Sequence, residues 1–220
     1  MMSSVDESAR EVRMGEQQPE PPDGKVVVRL AKNFDEALKY AAEIHREQTR
    51  KGTTIPYIAH LLQVAGIVLE FGGNQNEAIA ALLHDAAEDQ GGWKTVEEIR
   101  HKFGDTVANI VEGCSDTFES PKPPWRMRKE AYIRKIAKEP PDTRLVSAAD
   151  KLHNARAILI DLRQQGEALF KKFNGGKAGT FWYYRALIDA FRETGTCPPL
   201  IDELNRVVSE AERLAYPERG

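Results

Sequence analysis

Ala78-Ile-Ala-Ala-Leu-Leu-His-Asp-Ala-Ala-Glu-Asp89 is apolar on every side until it reaches His84 and Asp85. The stretch reads as one buried helix from Asn76 to Asp89, closed by Gly91-Gly92, because a helix that is hydrophobic all round belongs inside a protein. An ionised carboxylate buried alone is costly, so Asp85 calls for a hydrogen-bonded partner or a metal. Two more acids, Glu88 and Asp89, follow one turn later. His84 shares a face with Glu88, and Asp85 with Asp89.

Working outward from this segment, the periodicity is helical almost everywhere. Phe34, Ala37, Leu38, Ala41 and Ile44 mark a helix that Asn33 can cap. Arg50-Lys-Gly-Thr-Thr-Ile-Pro56 breaks it as a basic loop, and Tyr57–Phe71 resumes the helical pattern up to Gly72-Gly73. Thr95 with Glu98 reads as a capping box for a helix to about Phe103. Further helices are expected from Asp105 to about Cys114, Arg126 to Lys138, Thr143 to about Arg163, Phe181 to Glu193, and from Pro198-Pro199 through about Leu214. The fold class is all-α, one domain of helices around one core, over residues 25–215. Residues 1–24 are polar and rich in proline and acids, and read as a disordered acidic tail. Val26–Leu30 is a short apolar run that fits either a small strand or a docking segment. Residues 216–220 read as a C-terminal tail.

Composition narrows the function classes. The formal net charge is -3, which argues against nucleic-acid binding. Residues 1–24 hold six acids and two bases, so the rest of the chain is slightly positive and compatible with an anionic small molecule. Two cysteines, Cys114 and Cys197, fit a reducing compartment better than a disulfide framework. The N-terminus lacks a signal-like apolar stretch, and no run approaches the roughly 20 apolar residues of a membrane span. The expectation is a cytoplasmic chain with no membrane partner.

A metal centre emerges from spacing. His60 lies among Ile58, Leu61, Leu62 and Val64, and Asp150 lies in Val146-Ser-Ala-Ala-Asp-Lys-Leu-His-Asn154. His84 and Asp85 differ by about 100° around a helix, so both reach a point beside it. Four groups from three helices, His60, His84, Asp85 and Asp150, can converge. Two imidazoles and two carboxylates suit Mn²⁺, Fe²⁺ or Zn²⁺. Such an ion acidifies water and polarises a phosphoryl oxygen, and Glu88 and Asp89 are placed to handle the water's proton. A single histidine on an apolar face is ordinarily a satisfied core residue, and His45, His101 and His153 are read that way.

These motifs resemble the HD-domain phosphohydrolases, and more closely the hydrolase domain of the RelA/SpoT-homologue family. Arg50-Lys51 with Pro56-Tyr-Ile-Ala-His60, Ala81-Leu-Leu-His-Asp-Ala-Ala-Glu-Asp89, Phe103-Gly104 with Val107, and Ala149-Asp-Lys-Leu-His-Asn-Ala-Arg156 carry the resemblance. It covers roughly residues 33–193. It implies a helical HD-domain fold around one Mn²⁺ held by His60, His84, Asp85 and Asp150. It also implies removal of the 3′-pyrophosphate from ppGpp and pppGpp. Glu88 and Asp89 then activate water, Arg50 stacks on the base with Lys51 beside it, and Asn154 contacts the nucleoside. Gln90 stands where the family often has Thr, Lys151 where it has Arg, and the loop Lys51–Pro56 is one residue longer than in some members. With no synthetase segment after the last helix, the chain resembles the standalone small alarmone hydrolases.

Further substrate contacts are expected from Pro121-Lys-Pro-Pro-Trp-Arg-Met-Arg-Lys129, with Lys122 and Arg126 foremost, because arginine and lysine bind phosphate oxygens. Trp182-Tyr-Tyr184 cannot all face one core stripe, so Tyr183 or Tyr184 is expected to line a pocket. Asn174-Gly-Gly-Lys177 lacks the Walker pattern and is not a phosphate loop. Two other readings keep the same residues: action on an adenine alarmone or the 2′-phosphate of NADPH, and a nucleotide sensor without turnover.

Overall fold

Asn74 starts the central helix. Its side chain accepts from the backbone N–H of Asn76 at 2.8 Å and of Glu77 at 3.3 Å, while the Glu77 carboxylate accepts from the Asn74 N–H at 2.7 Å. This reciprocal cap satisfies donors that a helix start leaves open. In the computed structural model, which describes residues 28–119 and 121–217, the elements run α1 (Lys32–Ile44), α2 (Ile58–Glu70), α3 (Gln75–Leu83), α4 (Ala86–Gln90), α5 (Trp93–Phe103), α6 (Asp105–Cys114), α7 (Trp125–Ile136) and α8 (Pro141–Gln165). A 3₁₀ segment (Gly166–Lys172), α9 (Gly176–Glu193) and α10 (Pro198–Ala215) complete it. The acidic tail, residues 1–24, and residues 218–220 lie outside the described residues. The described part of the Val26–Leu30 run has no regular structure.

Among the described residues there is no strand, as expected of an all-α chain; one isolated antiparallel bridge joins Thr49 and Pro56. It closes the basic loop, with the Arg50 N–H donating to the Ile55 carbonyl and the Tyr57 N–H to the Gln48 carbonyl, both at 2.9 Å. Arg50 and Lys51 are thereby presented at the mouth of the site rather than on a free loop.

Every residue of α3 from Ala78 to Leu83 is buried. The helix packs against α1, α2, α6 and α8. Long α8 is the second axis, packed on α2, α3, α6 and α10, with Asp150 and His153 among its buried residues. α3 and α8 thus bracket the site, the first ending just before His84 and Asp85 and the second carrying Asp150. α10 then covers α8 with Leu200, Ile201, Leu204, Val207, Val208 and Ala211, an apolar stripe at helical spacing.

Three local expectations are corrected. The segment Asn76–Asp89 is not one helix: α3 stops at Leu83 and α4 begins at Ala86. The His84 Nδ1 lies 2.8 Å from the Ala81 carbonyl, which can only accept, so the ring N–H donates there. That carbonyl is the acceptor an unbroken helix would give to the Asp85 N–H. Thr95 does not cap α5, which begins two residues earlier at Trp93 after Gly92 at φ 61°, leaving Thr95 inside the helix and buried. Likewise α1 starts at Lys32 behind Ala31, one residue before the expected cap Asn33.

Candidate metal centre and substrate cleft

The four expected ligands converge. Asp85 Oδ2 lies 3.1 Å from His84 Nε2 and 3.5 Å from His60 Nε2. Asp150 Oδ1 lies 3.3 Å from His60 Nε2 and 3.6 Å from His84 Nε2. One ligand atom each from His60, His84 and Asp150 falls within 4.8 Å of the others, and all three residues are buried. α2 supplies His60, the break between α3 and α4 supplies His84 and Asp85, and α8 supplies Asp150. At the break both residues keep right-handed helical backbone, His84 at φ -59° and Asp85 at φ -94°, so the two side chains stay adjacent.

Each donor is oriented by a partner behind it. His84 spends its Nδ1 proton on Ala81, so Nε2 offers a lone pair; that Nε2 is buried and makes no hydrogen bond. His60 Nδ1 meets His153 Nδ1 at 2.6 Å. His153 titrates at about 4, lowered by burial and by His60 and Arg50 nearby, so it is neutral and can accept from His60. The Tyr57 hydroxyl donates to Asp85 Oδ2 at 2.5 Å. Asn154 Nδ2 donates to Asp150 Oδ1 and Lys151 Nζ to Asp150 Oδ2, both at 2.5 Å. Such outer partners fix the direction and basicity of ligands.

Electrostatics favour a cation. Burial works to raise the Asp85 and Asp150 carboxyls, yet His84 and His60, with Lys151 for Asp150, outweigh it and hold both well below the usual range. Burial works to lower His84, but Asp85 and Asp150 outweigh it and hold the imidazole well above its ordinary value. The two carboxylates thus favour positive charge at the His84 Nε2 position, which a divalent ion would supply in place of a proton. The orphaned, buried His84 Nε2 and this mixed nitrogen–oxygen donor set fit one divalent ion.

A cleft of about 620 Å³ adjoins the centre through Tyr57, Lys151 and Asn154. Seven cations line it, Arg50, Lys51, Lys122, Arg128, Lys129, Lys151 and Lys172, against two acids, Glu88 and Asp161. In a chain of net charge -3 this is a marked local excess, which concentrates anionic ligands. Trp125, Phe173, Tyr183 and Tyr184 add aromatic surface. Both tyrosines of the expected pair therefore reach the cleft, and the Tyr183 hydroxyl is buried without a hydrogen-bond partner.

Other expected residues are placed differently from one another. Arg50 Nη2 donates to Asn154 Oδ1 at 2.8 Å, so these two join in a bridge that ends on Asp150. Glu88 lines the cleft and accepts from Lys122 Nζ at 2.7 Å. Asp89 lies on a separate groove with Gln48 and Gln90. Arg126 is not brought to the cleft: it lies 3.2 Å over the Trp182 ring and pairs with Glu130 one turn on. The turn of α7 points Arg128 and Lys129 inward instead, where both pair with buried Asp116.

Tyr57, Gln48, His153 and Lys151 escaped sequence reasoning as functional partners. His153 was read as a core histidine, and its neighbour His60 explains what the buried ring does. Tyr57 carried a faint signal, an aromatic three residues before a ligand. The expected loop is shorter, since α9 begins at Gly176, and its two glycines serve different ends: a Cβ on Gly175 would sit 2.5 Å from the Trp125 ring, while Gly176 takes a φ of 59°.

The HD-domain family profile matches residues 37–181, well over half of the chain. The chain is 42% identical over 126 residues to the Xenopus tropicalis protein named guanosine-3′,5′-bis(diphosphate) 3′-pyrophosphohydrolase MESH1, the match covering 56% of this chain and 68% of that one. It is 34% identical over 145 residues to the guanosine-3′,5′-bis(diphosphate) 3′-pyrophosphohydrolase of Aquifex aeolicus, covering 64% of this chain but only 20% of that longer protein. A solved structure described as "A metazoan ortholog of SpoT hydrolyzes ppGpp and plays a role in starvation responses" superposes with a TM-score of 0.67 at 26% identity, covering 86% of this chain and all of the other. No helix among the described residues is long and apolar enough to cross a membrane. With the His…His-Asp…Asp centre, the helical architecture and the profile in agreement, the chain belongs to the HD-domain family.

Proposed function

We propose that this chain is a metal-dependent hydrolase that removes the 3′-pyrophosphate of guanosine alarmones, converting ppGpp to GDP and pppGpp to GTP with release of pyrophosphate. The observation that carries this reading is the cationic, aromatic-lined cleft opening beside the His60–His84–Asp85–Asp150 cluster. A nucleotide with phosphates at two ends needs charge-complementary walls and a flat apolar face for its base. The names of the Xenopus and Aquifex relatives support the same activity.

His60, His84, Asp85 and Asp150 would hold the ion, which we read as Mn²⁺, within a domain spanning residues 25–215. When bound, the ion acidifies water and draws charge from a phosphoryl oxygen. Asp89 receives the water's proton. Partial desolvation raises its carboxyl above the usual value, and Asp85 and Glu88 push in the same direction. Glu88 keeps Lys122 in place at the cleft wall. Lys122, Arg128, Lys129 and Lys151 oppose pyrophosphate charge, while Arg50, Lys51, Asn154, Tyr183 and Tyr184 hold the nucleoside. The substrate pool is the cytoplasmic nucleotide pool.

The test is incubation of purified protein with ppGpp and Mn²⁺, followed by anion-exchange separation of products. GDP and pyrophosphate are expected, and both vanish with a chelator or in Asp85→Ala. An adenine alarmone and NADPH are run in parallel and are expected to turn over more slowly. No release from ppGpp with any of several divalent metals overturns the reading, and tight ppGpp binding without turnover would identify a sensor instead.

A further inference from the structure

Asp89 is braced from outside its own helix. α4 is five residues long and begins at the break, so it cannot by itself fix the direction of a side chain on its surface. Asp89 Oδ2 accepts from Gln48 Nε2 at 2.7 Å. Gln48 Oε1 lies 2.6 Å from His45 Nδ1 and accepts from Gln90 Nε2 at 3.1 Å. Only one amide orientation satisfies all of these: the nitrogen faces the carboxylate and the oxygen faces two donors, so His45 Nδ1 carries its proton. His45 is itself buried at the end of α1, with its ring stacked on Tyr57 at 5.3 Å and 25°. A rigid post therefore aims the Gln48 amide. Around it lies a groove of about 370 Å³ formed by α1, the loop after it and α4, separate from the cationic cleft.

We propose that Gln48 is a positioning residue for hydrolysis, holding the Asp89 carboxylate in the one direction from which it takes the water's proton. The inference rests on Asp89 being the proton acceptor of the proposed reaction. The Gln48 donor is the side-chain hydrogen bond that fixes the Asp89 carboxylate. Without it the carboxylate is free to rotate.

The test is a double-mutant cycle on ppGpp turnover with Mn²⁺. Gln48→Met keeps length and bulk but neither donates nor accepts. It is expected to lower kcat about tenfold or more, as loss of an outer partner commonly does, with KM and Mn²⁺ affinity unchanged. In an Asp89→Asn background the same substitution is expected to change kcat by less than about twofold, because residues acting as one unit are not additive. Gln48→Glu, equal in length, turns the brace into a repulsion and lowers kcat further. A readout independent of turnover is the carbon-13 resonance of the ionised Asp89 carboxyl, which shifts and narrows in Gln48→Met as the carboxylate loses its donor and gains freedom to rotate. The charged groups facing Asp89, namely Asp85, Glu88 and His45 with Glu43, Arg46 and Glu47 along the groove, are the same in both proteins. Wild-type kcat in a folded Gln48→Met protein, or a loss that adds in full to Asp89→Asn, overturns the proposal while leaving the reaction intact. A wild-type chain that does not turn over ppGpp overturns the reaction and this assignment together.

Discussion

The Tyr57 hydroxyl donates to Asp85 Oδ2 at 2.5 Å, from the residue that precedes α2 to the break between α3 and α4. Burial, with Asp85 close behind it, pushes the phenol far above its ordinary range, so it stays a donor throughout the working pH of any enzyme. Tyr57→Phe keeps the ring stacked on His45 and removes only that donor. Metal affinity is expected to fall about tenfold with little change in thermal stability, as measured by competition with a chelating dye and by a melting curve.

Asp85 and Asp150 should separate metal binding from stability. Asp85 is 25% exposed at its side chain and Asp150 only 8%, with half-buried Lys151 paired to it. Asp85→Ala is expected to abolish the Mn²⁺-induced rise in melting temperature while leaving the metal-free protein near wild type. Asp150→Ala abolishes the same rise and also removes the carboxylate partner of the half-buried Lys151 ammonium, costing about 1–3 kcal/mol. In the wild type, a hundredfold excess of ion over its Kd adds about 2.7 kcal/mol, which the chelator removes. Denaturant melts of the two variants with and without Mn²⁺ decide the matter.

Arg50 reaches the centre through Asn154, which touches Asp150 with its other amide atom. Arg50→Ala is expected to raise KM for ppGpp on the order of tenfold, the scale of a charged hydrogen bond. Arg50→Lys is expected to recover little, since an ammonium cannot present the planar fork that bonds Asn154 and stacks on a base. Steady-state kinetics on both variants checks this.

Gly175 faces the Trp125 ring. A methyl group there would lie 2.5 Å from the indole, a clash that neither side can absorb cheaply. Gly175→Ala is expected to destabilise the fold by about 1–3 kcal/mol and to raise KM, because Trp125 lines the cleft. Reversible denaturation with substrate kinetics on the same preparation tests both effects.

What the amino-acid order disclosed, and what it hid, follows from how local each signal is. Leu82, Leu83, His84 and Asp85 form a contiguous pattern, so the helical class and the convergence of His60, His84, Asp85 and Asp150 were readable from periodicity, aided by the family resemblance. The break at His84 was not, because it depends on a ring nitrogen competing for the Ala81 carbonyl, which no propensity encodes. Gln48, Tyr57 and His153 were hidden for a related reason: each acts on a residue at least 28 positions away, across a tertiary contact. Arg126 and Arg128 look equivalent in a basic run, and only the rotation of α7 against α9 sends one to Trp182 and the other to the cleft.

The break between α3 and α4 also divides the centre by protection from solvent exchange. Amides of α3 lie in a segment buried on all sides and are expected to open only on global unfolding, whereas α4 is a single short turn ending at Gly91-Gly92, expected to open more readily. His84 sits at the end of the first and Glu88 and Asp89 on the second. In the proposed reaction, ligand geometry and proton handling would then be free to vary separately: substitutions around α4 are expected to change turnover more than affinity for an ion.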